Sequence, residues 1–135
     1  MAIPLKQLKG MDNDLAKKLK VKDIRNSDQF LEAAASAKQR RALAKELEVK
    51  EKVVLELANR ADLARMKGVA GIYSDLLEQA GVDTIKELAT RNPENLHAKI
   101  VEVNNEKRLA TRLPTVLDVL EWVEAAQEMP KVLTY

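Results

Sequence analysis

The sequence contains no cysteine. That excludes disulfides, thiol chemistry and cysteine-based zinc sites, and it fits a reducing, cytoplasmic setting. With a single histidine, His97, neither a histidine metal cluster nor a Ser–His–Asp set can be assembled. Aromatic residues make up 3% of the chain, so the core must be aliphatic. No apolar run approaches the roughly 18 residues that a membrane helix needs. The opening MAIPLKQLKG lacks the apolar stretch of a signal peptide. Formal net charge is only +2, a weak overall pull on polyanions. There is no Walker-type phosphate loop, no GxGxxG and no HExxH. These absences point away from an enzyme. They predict no cofactor, no metal, no small-molecule substrate and no membrane contact.

What remains reads as helix. Apolar residues are 46% and charged residues 33% of 135, with both signs mixed as on solvated helix faces. Apolar residues recur at helical spacing in Leu15–Ala16–Leu19, Phe30–Leu31–Ala34, Val54–Leu57–Ala58–Ala61, Leu96–Ile100–Val103 and Val119–Val123–Ala126. Ser27, Asn92 before Pro93, and Thr115 are N-cap candidates. Ser36 with Gln39, and Thr84 with Glu87, have capping-box spacing. Asn104-Asn105 reads as a turn, and Lys107 to Leu113 as one more helical turn before Pro114. Residues 131–135 are a short β-prone tail. No other stretch alternates with period two, so no sheet is expected.

The central stretch runs from Leu63 to Leu88. Gly68 and Gly71 permit a tight turn, Ile72, Leu76, Leu77 and Ala80 continue as a helix, and Gly81 stands where a helix-ending glycine belongs. A shift of 58 positions lays Leu5 on Leu63, Leu8 on Met66, Lys9 on Lys67, Gly10 on Gly68, Leu19 on Leu77 and Phe30 on Leu88. Further on the shift becomes 65, with Val54-Leu55-Glu56-Leu57 on Val119-Leu120-Glu121-Trp122. This is an internal duplication, in which two units of residues 1–62 and 63–129 pack on a shared core and 130–135 is the tail.

Met66, Gly68-Val69-Ala70, Ser74 and Leu76-Leu77 resemble the helix-hairpin-helix motif, and Gly81-Val82-Asp83-Thr84 to Leu88 resembles the segment that follows it in DNA repair proteins. Over its whole length the chain is similar to a bacterial domain family of unknown function built from two degenerate hairpins. The resemblance implies tandem hairpin repeats of about eight to nine short helices, an all-α, SAM-like bundle. It implies DNA binding without sequence preference, with turn amides holding backbone phosphates. The residues so implicated are Lys67, Gly68, Val69, Ala70 and Gly71 in the second turn, with Lys9, Gly10 and Asn13 in the first. The motif's second glycine is replaced by Ala70 in one turn and by Asp12 in the other. The Asp12 carboxylate would repel a phosphate or cap the helix holding Leu15 and Leu19.

Physical chemistry gives the turns the same meaning. N–H groups at a helix start lack intrahelical partners and suit an anion. The bland alternative is that glycine serves turn geometry alone. The expected partners are a DNA or RNA backbone or, if the fold has lost that role, another protein for which the chain is an interaction or scaffold module. The basic run Lys17, Lys18, Lys20, Lys22 and Arg25 is either a backbone-tracking stripe or a solvated face.

Overall fold

Pro4 opens a single 3-10 turn at Leu5–Gln7. Eight α-helices follow among the described residues, which are 2–69 and 71–135 of a computed structural model. They are α1 (Asn13–Val21), α2 (Ser27–Ala33), α3 (Ala37–Leu47), α4 (Glu51–Leu63), α5 (Ile72–Gln79), α6 (Ile85–Ala89), α7 (Pro93–Lys107) and α8 (Val116–Glu128). No strand occurs among these residues; one isolated bridge pairs Pro4 with Asn26. No helix among them is long and apolar enough to cross a membrane.

The helices start where side chains satisfy their first N–H groups. Asp12, Asn26, Ser36, Thr84, Asn92 and Thr115 each accept from the backbone three residues on. Ser36–Gln39 and Thr115–Asp118 are reciprocal boxes. The Thr84 box is not reciprocal, because the Glu87 carboxylate reaches past Thr84 to the Asp83 N–H at 3.3 Å. Ser27 is not the cap of α2 but its first residue, and its buried hydroxyl accepts from Ile3 N–H at 2.9 Å.

The two halves match element by element. Under the shift of 58, the carbonyls of Leu19 and Leu77 accept from Ile24 and Val82 at 3.0 and 2.8 Å, closing α1 and α5 alike. The residue before the donor has positive φ in both, 61° at Asp23 and 93° at Gly81. Aspartate is one of the few non-glycine residues that accept this conformation. α6 is two residues shorter than α2, α7 is four longer than α3, and the connector into α8 is five longer than that into α4. The net seven residues take the shift from 58 to 65.

The core is divided rather than shared. Leu5, Leu15, Leu19, Phe30, Leu47 and Val54 belong to one buried cluster. Leu76, Leu77, Leu88, Leu96, Ile100 and Trp122 belong to another. α4 carries the boundary, since Ala61 lies in the first cluster and Leu63 in the second. Each half therefore has its own aliphatic core, and polar contacts join them. The Asp62 carboxylate accepts from Arg65 and from the Ile85 N–H, both at 2.8 Å. Arg60 pairs with Asp75 and Glu78 of α5.

Two stretches depart from the sequence expectation for one reason. Asn104-Asn105 is not a turn but lies in α7, and Lys107 to Leu113 holds no further helical turn. Arg108, at φ 50°, ends the helix. The Asn104 amide then takes both backbone groups of Ala110, donating to its carbonyl at 3.0 Å and accepting from its N–H at 2.9 Å. A side chain thus replaces the helical hydrogen bonds that Ala110 would need.

The tail forms no strand, and it crosses to the first half. Thr134 N–H donates to Ala35 O at 2.8 Å, and Val132 and Leu133 pack on the first cluster. Arg40 donates to Thr134 O at 2.6 Å and stacks its guanidinium 5.4 Å from the Tyr135 ring centre.

Candidate nucleic-acid interface

The second turn begins where α4 runs out of helical partners. Met66 N–H donates to Leu63 O at 3.0 Å, and Val69 N–H to Met66 O at 3.2 Å. Gly68 and Gly71 take φ of 84° and 81°, with open space where a Cβ would sit. They are needed for backbone conformation and not for clearance. Gly71 is the N-cap of α5 and so provides no side-chain cap for that helix. α4, with Lys50 as its N-cap, likewise has no side-chain cap. The Ser74 hydroxyl turns back to donate to Gly71 O at 2.7 Å, so it does not cover the N–H groups. The exposed Lys67 has no acidic partner among the described residues. Val69 is fully buried, and its N–H is already engaged. Ala70 lies outside the described residues.

The first turn has the same backbone scheme but a different end. Leu8 and Met11 N–H groups donate to Leu5 O and Leu8 O, each at 3.0 Å, and Gly10 has φ 94°. Here Asp12 fills the helix start, with its carboxylate accepting from Leu15 N–H at 2.7 Å. The capping role read from the sequence is the one Asp12 performs, and it places a negative charge at the start of α1.

The candidate residues face three openings. Lys9 comes to the second turn, lining a recess of about 50 Å³ with Gly71, Ser74, Asp75 and Arg60. Its ammonium lies 3.6 Å from the Asp75 carboxylate. Gly68 opens onto a larger cleft of about 400 Å³, with Ile72, Tyr73, Thr111 and Arg112. Asn13 lines a third recess with Lys6, Lys17 and Lys20. Gly10 packs instead against α4, where a Cβ would meet Leu57 at 3.6 Å.

Arg112 escapes a reading of the sequence because its place depends on the connector held by Asn104. Tyr73 fixes it further: its hydroxyl donates to Arg112 O at 3.1 Å, while its ring packs 5.6 Å from that of Trp122. The Arg112 side chain has no acidic partner among the described residues. His97, partly buried, meets Pro114 O through Nε2 at 3.0 Å. That contact tethers the other end of the same connector.

The arrangement leaves the start of α5 without a side-chain cap from Gly71, with Arg112 in the adjoining cleft. No solved structure matches the chain. From Lys9 in the first turn to Met129 after α8, residues 9–129, the sequence matches one family pattern, and the chain belongs to that family, described as Domain of unknown function (DUF4332).

Proposed function

We propose that the protein is a non-catalytic, sequence-independent nucleic-acid-binding module whose second turn holds a backbone phosphate. In this reading the chain is a pair of helix-hairpin-helix units, residues 1–62 and 63–129, working in the cytoplasm. The observation that carries it is the uncapped start of α5 behind Gly71, set against the start of α1 that Asp12 closes. Two cations, Lys67 next to Gly68 in the chain and Arg112 in the cleft that Gly68 and Ile72 line, have no carboxylate partner among the described residues. An oxyanion there gains N–H donors and the positive end of the helix dipole, and the Asp75 carboxylate of the same turn is paired with Arg60 and Lys9. The first unit is a weaker phosphate holder in this reading, because Asp12 occupies the Leu15 N–H and puts a negative charge there. The closed first turn, and Lys9 drawn to Asp75, favour the second reading of a scaffold that binds protein instead.

Fluorescence polarisation with labelled duplex and single-stranded DNA at two salt concentrations tests this. Affinity should fall steeply with salt, by roughly 0.9 in logarithmic slope per phosphate contact on duplex. The double variant Lys67→Glu with Gly68→Asp should weaken binding at least tenfold. It should stay folded, because Asp23 shows that aspartate adopts positive φ in this fold and the site has room for a Cβ. Unchanged affinity in a folded double variant would refute the assignment.

A further inference from the structure

The basic run on α1 is not uniform. Lys18 lies 4.0 Å from Glu48 and donates to Leu47 O at 3.2 Å. Lys22 pairs with Glu46, and Arg25 with Asp23 at 3.3 Å. Lys17 and Lys20 have no acidic partner among the described residues. They stand on one helix face with Asn13, at spacings of four and three. With Lys6 they line a recess of about 200 Å³ over the buried Ala16. Asp12 and Asp14 are the nearest carboxylates in sequence; neither lines the recess, and Asp12 is engaged by Leu15 N–H.

The second half shows what this face looks like when closed. The positions matching Lys17 and Lys20 are Asp75 and Glu78, and Arg60 binds both. The second half's acidic face is thus neutralised by Arg60 of the first half, while the first half leaves three ammonium groups around an opening. Like charges so placed repel, and a multivalent anion relieves them.

We propose that this recess holds successive phosphates of a nucleic-acid strand and so extends the contact from the second turn onto α1. The proposal rests on the nucleic-acid reading above. The Leu5–Gln7 turn links the two places, with Gln7 beside Gly71 in one recess and Lys6 beside Lys17 in the other.

Two variants with equal charge change on the same helix provide the test: Lys17→Gln with Lys20→Gln, and Lys18→Gln with Lys22→Gln. Polarisation with labelled duplex DNA should show the first pair weakened about tenfold, with its salt slope reduced by roughly two contacts' worth. The second pair should keep affinity within about twofold. Circular dichroism confirms that each is folded, and the four side chains lie on the surface. Equal losses in both pairs would mean net charge alone matters, and the recess assignment falls. If the first pair binds like wild type while Lys67→Glu with Gly68→Asp does not, the recess is wrong and the second turn stands. If wild type binds no DNA at low salt, both fall.

Discussion

Arg40→Ala is expected to cost about 3 kcal/mol of stability, the scale for losing charge-assisted hydrogen bonds together with a buried aliphatic stem. Arg40 is 5% exposed. Its Nη1 donates to Ala34 O and Ala35 O at 2.9 and 3.1 Å, and its Nη2 to Thr134 O at 2.6 Å. It is thus a buried cation satisfied by carbonyls, and it ties the tail to the first half. The matching position in α7 is Leu96, fully buried, where no tail needs holding. Arg40→Leu should therefore keep more stability than Arg40→Ala yet release the tail just as fully. Urea unfolding reads the first effect, and trypsin cleavage after Lys131 reads the second. Lysine should not rescue, since one ammonium cannot reproduce the planar fork.

The same docking responds to alkali. Burial, then the Asp62 carboxylate, raises the Tyr135 phenol above its ordinary 10.0, against the opposing pull of Arg40. The neutral phenol donates to Asn59 Oδ1 at 3.0 Å. A pKa raised by folding means that the contribution is intact below the unfolded value and is lost as pH climbs through the folded one. The Thr134 amide signal should weaken above about pH 10, before the helices melt. Tyr135→Phe should remove that step.

Asp62→Ala should also cost about 3 kcal/mol, for a different reason. This buried carboxylate is a cap supplied from another helix. It takes the first N–H of α6, at Ile85, and the Arg65 guanidinium, each at 2.8 Å. In the first half the equivalent N–H, at Ser27, goes to Ile3 O at 2.9 Å. The duplication thus kept a need and met it with two different acceptors. Removing the carboxylate leaves a buried donor bare and takes one ion pair from Arg65. Asp62→Asn keeps one acceptor and should lose about half as much. Hydrogen exchange at Ile85 should quicken in both, more in alanine, while the amides around Phe30 stay protected.

These contacts mark where the sequence stops being informative. Caps and stops act over three or four residues, so Ser36–Gln39, Asn92–Pro93, Thr115 and Gly81 are legible from spacing. Arg40 and Thr134 are 94 residues apart, and Asp62 and Ile85 are 23 apart. No periodicity encodes such pairs. Asn104 misleads for a related reason: asparagine marks turns because its side chain competes for backbone groups, and here it competes from inside α7. In the candidate site, glycine spacing exposes the second turn. Arg112 and the sorting of Lys17 from Lys18 emerge only when helices are packed.

Amide chemical-shift mapping with short duplex DNA tests the second turn most directly. At low salt the N–H signals of Lys67, Gly68, Gly71, Ile72 and Tyr73 should move together and saturate, and added salt should reverse them. The Phe30 amide, bonded to Asn26 O within the first core, should stay in place. If those second-turn signals stay still while others move, or if nothing moves, no phosphate sits at the start of α5.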